Sequence, residues 1–296
     1  SVHSFPTRRS SDLFAHMRAI GIDTVVLIRC GYRRWLTYPS AVAMSEEGAF
    51  EPPVDLVRLF LDLSAKHHMA FHFRLYDSGK YWTSGDYEAE VELNRRVIGE
   101  AWSRYGGHPA FAGWYLSQEC SRKAGRNAEM YARLGRACKD ASGGLPVLIS
   151  PYIDGPKNVD PDAGVVAREE GVSLETHERE WDEIFGDISG AVDTVAFQDG
   201  HVDFAVLEDF LRVNKRLADR HGLACWTNSE SFDRDMPIRF MPIKWEKLLL
   251  KLRAAERAGI TRAITFEFSH FMSPQSAYLQ AGHLYNRYRE YLESRS

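Results

Sequence analysis

The sequence predicts a (β/α)8 barrel, in which a closed parallel sheet is surrounded by helices. The first observation is that strand-like apolar runs alternate with helical segments, which is typical of repeated βαβ units. The second is a length of 296 residues without a linker or low-complexity stretch, which fits one large domain. The third is that two apolar runs each end in a glutamate, at the position where a barrel carries its active site.

The composition is that of an ordinary globular protein, with 44% hydrophobic and 26% charged residues. A formal net charge of −4 does not favour nucleic acid or an anionic membrane as a partner. No apolar run approaches the length of a transmembrane helix. The four cysteines form neither a CxxC pair nor a metal-ligand spacing, and they leave the redox compartment open.

Seven short runs are predicted to be strands because they are apolar and rich in β-branched or aromatic residues. They are residues 23–29, 69–76, 110–116, 146–150, 192–197, 223–227 and 262–268. Eight segments are predicted to be helices, or the end of one for the first, at residues 14–20, 54–67, 87–105, 127–141, 174–185, 206–220, 244–258 and 276–293.

The first predicted helix has no strand before it, whereas a (β/α)8 barrel needs eight strands. Residues 4–13 read SFPTRRSSDL, which is the in-frame translation of a common sequencing-library adapter. We therefore expect residues 1–13 to be non-native and unpacked or improvised, residues 14–296 to form the single barrel domain, and the first strand to be missing. A secretion signal would be lost with it, so localisation stays open.

Glu119 closes the run Phe-Ala-Gly-Trp-Tyr-Leu-Ser-Gln-Glu, and Glu230 closes the run Leu-Ala-Cys-Trp-Thr-Asn-Ser-Glu. If the missing strand counts as the first, these glutamates follow strands four and seven. In a large superfamily of retaining barrel glycosidases, those strand ends carry the acid/base and the nucleophile. We therefore predict a retaining O-glycoside hydrolase without a cofactor, in which Glu119 is the acid/base and Glu230 the nucleophile. Spacing alone does not give the distance between the two carboxyl groups.

Other polar and aromatic residues at strand ends are predicted to bind the substrate. They are Tyr115, Tyr152, Gln198, Asp199, Trp226, Asn228, Glu267 and His270. Trp114 and Tyr115 are adjacent on one strand, so one of them is expected in the core and the other towards the active site.

Several segments resemble the DUF4434 family, glycoside-hydrolase-like TIM barrels of uncharacterised function. They are Gly-Ile-Asp-Thr-Val-Val-Leu from residue 21, Tyr-Pro-Ser from 38, Gly-Trp-Tyr-Leu-Ser-Gln-Glu from 113, Val-Ala-Phe-Gln-Asp-Gly from 195 and Glu-Ser-Phe from 230. The resemblance covers nearly all of the chain from Phe14 onward. It implies a glycoside or oligosaccharide substrate, and an opening strand with Gly-Thr-Phe-like residues that is not found here. The oligomeric state stays open.

Four alternatives remain at this point. Asp199 and Gly200 could simply form a turn, and Glu267 could form a structural ion pair with Arg29 or Arg74. A metal-dependent hydrolase or isomerase would use His72, Glu119, Asp199 and Glu267 as ligands. A barrel of this kind could also bind carbohydrate without cleaving it.

Overall fold

The computed structural model describes residues 5–155, 171–234 and 240–295 of the chain. Its centre is a curled sheet of seven strands that pair in chain order, and every ladder is parallel. The strands are β1 (Thr24–Val26), β2 (Ala70–Arg74), β3 (Phe111–Tyr115), β4 (Val147–Ile149), β5 (Thr194–Gln198), β6 (Ala224–Glu230) and β7 (Ala263–Phe266). All seven lie where the sequence predicts strands, and the fold is a TIM-barrel-like α/β fold.

Helices follow the strands as predicted, and helix α4 has the predicted bounds. The helices are α1 (Phe5–Ala19), α2 (Ala41–Glu47), α3 (Leu56–Lys66), α4 (Tyr87–Tyr105), α5 (Asn127–Ser142), α6 (Leu174–Ile188), α7 (Phe204–Arg220), α8 (Trp245–Arg257), α9 (Phe268–Phe271) and α10 (Leu279–Glu293).

Capping contacts and apolar stripes stabilise the long helices, and α4 and α7 give one example of each. In α4, the side chain of Asp86 accepts a hydrogen bond from the backbone N–H of Ala89 and so caps the first turn. In α7, Leu207, Phe210 and Leu211 recur at helical spacing, and all three are buried. These stripes pack the helices against the sheet.

Residues on either side of each strand divide between an outer and an inner layer. Trp114 points outward, is fully buried, and packs edge-on against Phe111 and Phe73 under the helices. Its neighbour Tyr115 points inward, to a small cluster with Leu148 and other interior residues. The structure thus settles which of the two adjacent aromatics faces the interior.

Strands β1 and β7 are the two edges of the sheet, and no ladder joins them within the described residues. Both are only partly buried, whereas the strands between them are buried along most of their length. The side chains of Asp23 and Arg262 form an ion pair of 2.5 Å from one edge to the other. The eighth strand predicted before residue 14 remains a prediction.

Residues before Phe14 are expected to be unpacked or improvised, and those that the structure describes form part of a helix and not a strand. Helix α1 begins at Phe5 and continues through the adapter-like residues. The Oγ atom of Ser11 lies 3.2 Å from His67 Nε2 and accepts a hydrogen bond of 2.8 Å from Lys66. Leu13 packs against a hydrophobic cluster that includes Phe14 and Met17. A polar segment can extend a helix once its last turns are anchored by such contacts.

The short elements in the loops were not predicted. They are a three-stranded ribbon of Gly31–Tyr32, Trp35–Leu36 and Tyr76–Asp77, a two-stranded ribbon of Phe232–Asp233 and Met241–Pro242, a 3-10 helix at Trp82–Ser84, and the helices α2 and α9. Segments of two to seven residues are too short for hydrophobic periodicity to reveal them.

The four cysteines are buried free thiols. No helix in the described part of the chain is long and apolar enough to cross a membrane.

Candidate active site

A cavity of about 1210 Å³ runs between the two edge strands and reaches the C-terminal end of the sheet. At that end it is lined by polar residues from the ends of several strands. They are Arg29, Arg74, Tyr115, Glu119, Gln198, Asn228, Glu230, Arg234, Glu267 and Ser269. Six of the ten residues that the sequence predicts for the site are in this group.

Glu230 is the last residue of β6, whereas the sequence predicts that it follows the strand. Its side chain is 3% exposed, and Arg234 donates to both carboxylate oxygens at 2.6 and 2.5 Å. A two-pronged guanidinium contact of this kind fixes the orientation of the carboxylate. Glu230 is thus a buried anion in a defined position.

Gly200 leaves the space that the Glu230 carboxylate occupies. A Cβ atom at position 200 would overlap both carboxylate oxygens. A turn at Asp199 and Gly200 is therefore not the whole role of this glycine, because its lack of a side chain also makes room for the Glu230 carboxylate.

Asp199 lies behind Glu230 and is not part of the cavity lining. One of its oxygens accepts hydrogen bonds from Lys251 at 2.7 Å and from the backbone N–H of Glu230 at 3.1 Å. Burial raises the pKa of Asp199, the Lys251 ammonium opposes that shift, and Glu230 adds to it. Lys251 also donates to the Glu230 carbonyl at 3.1 Å, so this pair holds the end of β6 in place.

Glu119 lies in the loop after β3, four residues beyond the last strand residue. Its side chain is 33% exposed and forms an ion pair of 2.7 Å with Arg74, at the end of β2. The guanidinium of Arg74 also donates to the Ser117 carbonyl at 2.6 Å and lies 4.4 Å from the centre of the Tyr115 ring. Arg74 therefore connects the Glu119 loop to the interior of the sheet.

Gln198 and Asn228 both form hydrogen bonds with Ser150, which follows β4, a strand that lies between β3 and β6 in the sheet order. Gln198 donates to the Ser150 carbonyl at 2.8 Å, and Asn228 donates to the Ser150 hydroxyl at 2.9 Å. The Oδ1 atom of Asn228 is buried without a hydrogen-bond partner among the described residues. A buried acceptor without a partner in a cavity wall can accept a hydrogen bond from a bound hydroxyl group.

Glu267 pairs with neither Arg29 nor Arg74, the two partners considered from sequence. Its carboxylate caps the short helix α9, accepting from the backbone N–H groups of Ser269 and His270. The carboxylate also contacts the His270 ring. The His270 side chain is 72% exposed and is not part of the cavity lining.

Two predicted aromatic residues lie apart from the glutamates. Trp226 lines the deeper part of the cavity, four residues before Glu230 and so about 13 Å away along the strand. The guanidinium of Arg262 lies 4.8 Å from the centre of its ring. Tyr152 follows β4 and contacts the His201 ring at 5.4 Å, outside the cavity lining.

The sequence analysis did not predict the cations that pair with the acids of the site. Arg234 and Lys251 were not considered, and Arg74 was considered only as a partner of Glu267, not of Glu119. Lys251 did carry a signal, because it occupies the buried face of α8 between Leu248 and Ala254. A lysine on such a face needs a buried acid. No comparable pattern marks Arg234, since its position is set by the loop after β6.

The four residues of the metal alternative do not assemble. His72, Glu119, Asp199 and Glu267 each have different surroundings, and the described residues contain no group of three or more His, Cys, Asp or Glu side chains placed to hold a metal ion.

The sequence matches the model of the family described as "Domain of unknown function (DUF4434)" over residues 4–278. Because this match spans most of the chain, the protein belongs to the DUF4434 family. No curated protein matches it significantly.

The fold is similar to that of several solved structures. One is a "putative alpha-L-fucosidase" from Bacteroides thetaiotaomicron VPI-5482, with 54% identity, a TM-score of 0.92, and coverage of 98% of this chain and 90% of that chain. Another is an endo-1,4-beta-D-mannanase from Thermotoga petrophila RKU-1, with 11% identity, a TM-score of 0.58, and coverage of 95% and 94%. A third is a beta-D-glucuronidase from Dictyoglomus thermophilum, with 14% identity, a TM-score of 0.52, and coverage of 95% and 47%. At such low identity the last two show the fold alone, which is that of glycoside hydrolases.

Proposed function

We propose that this member of the DUF4434 family is an O-glycoside hydrolase that uses Glu119 and Glu230 in a retaining mechanism. The observation that carries the proposal is that both glutamates line one cavity, at the ends of two strands of a fold shared with glycoside hydrolases. Two carboxyl groups on opposite sides of a glycosidic bond are what this chemistry requires.

In the first step, a Glu230 oxygen attacks the anomeric carbon and forms an ester with the sugar. The bond from that carbon to the leaving oxygen breaks, and the proton of Glu119 passes to the leaving oxygen. In the second step, Glu119 takes a proton from water while the water oxygen attacks the anomeric carbon. The ester bond breaks, and Glu230 is released as a carboxylate.

The surroundings of the glutamates support these roles. Arg234 holds both oxygens of the Glu230 carboxylate and so fixes the group that attacks in the first step and leaves in the second. Arg74 holds Glu119, which is the acid of the first step and the base of the second.

The sugar would contact Asn228, Gln198 and Tyr115, which line the same cavity as the two glutamates. We propose α-L-fucosides as the first substrates to test, because the solved structure with 54% identity is described as a "putative alpha-L-fucosidase".

A screen of aryl glycosides and oligosaccharides tests the proposal. We expect Glu230→Gln to reduce turnover at least 1000-fold while sugars still bind. This corresponds to a loss of about 4 kcal/mol of transition-state stabilisation. Glu119→Ala should spare the first step for aryl glycosides with good leaving groups, because these need little protonation. Glu208→Gln is the control, since Glu208 is an ion-paired glutamate on the outer helix α7.

Proton NMR of the first product gives the anomeric outcome, and retention is expected. An inverted product would refute the covalent intermediate, and hydrolysis that survives both substitutions would refute the assigned residues. Binding of sugars without cleavage would favour a carbohydrate-binding barrel instead.

A further inference from the structure

The charged residues that line the cavity are almost completely paired. Its five acids all have a cationic or hydrogen-bonding partner, and four of its five arginines have a carboxylate partner. The arginine pairs are Arg74–Glu119, Arg234–Glu230, Arg262–Asp23 and Arg295–Glu256. The fifth acid, Glu267, is held by Ser269 and His270.

Arg29 is the exception. It follows β1 and is half-buried in the cavity wall, and no carboxylate lies within ion-pair distance of it among the described residues. Its guanidinium lies 4.7 Å from the centre of the Tyr32 ring. Stacking on an aromatic ring orients a guanidinium but leaves its N–H donors free for another partner.

Arg29 lies on the same side of the cavity as the proposed catalytic groups. Its positive charge acts on the Tyr115 hydroxyl, where it opposes the increase in pKa that burial causes. The Tyr115 ring is in turn covered by Arg74, which holds Glu119. All four residues line one cavity, so a ligand that contacts Tyr115 and the two glutamates can also reach the Arg29 guanidinium.

We propose that Arg29 binds an anionic group of the sugar, a carboxylate or a sulfate, and that the substrates are therefore acidic glycosides. This inference rests on the proposed function for the position of the sugar. A partly desolvated guanidinium without a counter-ion is a strong site for a planar carboxylate or a sulfate, because charge-assisted hydrogen bonds are about twice as strong as neutral ones. The other cations of the cavity already have carboxylate partners.

Binding of free monosaccharides to the wild-type protein tests this without requiring hydrolysis. The probes are D-galactose, D-galacturonate and D-galactose 6-sulfate, which differ only at C6, together with L-fucose and L-fucose 4-sulfate. Calorimetry at low and high salt gives the affinities. Arg29→Gln is the test variant, and Arg33→Gln is its matched control, because Arg33 also lies over the Tyr32 ring, at 5.0 Å, but is not in the cavity lining.

We expect at least one acidic sugar to bind about tenfold more tightly than its neutral counterpart, equivalent to about 1.4 kcal/mol. Arg29→Gln should remove that preference without changing the affinity for neutral sugars, Arg33→Gln should keep it, and high salt should reduce it. Whether the uronate or the sulfates bind identifies the anion.

The proposal is overturned if no acidic sugar binds more tightly than its neutral counterpart, or if both arginine variants lose the preference equally. The failure of this inference can be distinguished from the failure of the proposed function. Acidic sugars that bind through Arg29 without any hydrolysis would leave this inference standing and remove the hydrolase. Hydrolysis of neutral fucosides by a wild-type protein that shows no preference for any acidic sugar would leave the hydrolase standing and remove this inference.

Discussion

The position of the Glu230 carboxylate depends on the absence of a side chain at residue 200. An alanine there would place its methyl group on the carboxylate oxygens. We expect Gly200→Ala to displace the carboxylate, weaken its contact with Arg234, and lower kcat at least tenfold while the protein still folds. Steady-state kinetics and circular dichroism measure the two effects.

Gly99→Ala is the matched control, because Gly99 lies in helix α4 and a Cβ atom there meets nothing within 4 Å. This control should keep full activity and gain slightly in helix stability. Unchanged kcat in Gly200→Ala would show that catalysis does not need Glu230 in the observed position.

His72 is buried inside the sheet, and its titration makes the stability of the protein depend on pH. Burial, together with the nearby charge of Arg262, lowers the pKa of His72 from 6.5 to about 4. The unfolded chain therefore binds a proton between pH 6.5 and about 4 that the folded protein does not. Stability contributed by neutral His72 is present above the unfolded pKa and is lost as the pH falls through this window, by on the order of 3 kcal/mol.

Urea unfolding at pH 7.5 and pH 4.5 checks this expectation. We expect His72→Gln to reduce the loss of stability on acidification, whereas His283→Gln should not, because the His283 side chain is exposed on α10. Equal pH dependence in wild type and His72→Gln would contradict the assignment.

At the scale of elements, the loop that carries Glu119 is anchored to helix α5 by hydrogen bonds. The Tyr131 hydroxyl donates to the Gln118 carbonyl at 2.5 Å and accepts from the backbone N–H of Cys120 at 3.2 Å. The Gln118 side chain donates to buried Glu90 of α4 at 2.8 Å. The residues on both sides of Glu119 are thus fixed by two helices.

We expect Tyr131→Phe to loosen this loop, because it leaves two buried backbone groups without a partner and hardly changes the volume. The free energy of unfolding should fall by roughly 1–3 kcal/mol, and kcat should fall together with it. Tyr285→Phe is the control, since the one hydrogen bond of the Tyr285 hydroxyl among the described residues goes to the His16 carbonyl, at 3.3 Å. Loss of stability with unchanged kcat would show that the loop position does not matter for catalysis.

At the scale of the whole molecule, the sheet formed by the described residues has two open parallel edges, and the cavity runs between them. Each edge strand uses alternate backbone groups for its one neighbour, and the other groups point to the open side. The ion pair between Asp23 and Arg262 shows that the two edges are close enough for side chains to meet.

We expect a Val- and Ile-rich strand of about five residues, joined in front of α1 by a short loop, to pair with both edges and raise Tm by several degrees. The same segment with a central proline is the control, because proline cannot donate to a ladder. Thermal unfolding followed by circular dichroism measures the difference. An equal Tm for both fusions would count against a strand at this position.

The sequence by itself determined the seven strands, the long helices and the places of the two glutamates. Apolar runs of strand length and helical stripes such as that of α7 are local patterns, and they hold whatever the rest of the chain does. Glu119 and Glu230 could be singled out because the end of a parallel strand is also a local position.

Only the tertiary structure decided which charges meet. The pairs Arg74–Glu119, Arg234–Glu230 and Lys251–Asp199 join loops, strands and a helix whose approach depends on the packing of the whole sheet. The same holds for the contact of Gly200 with Glu230 and for the absence of a carboxylate beside Arg29 in the described part of the chain. Side-chain pairing is set by distances across the fold, which no periodicity along the chain encodes.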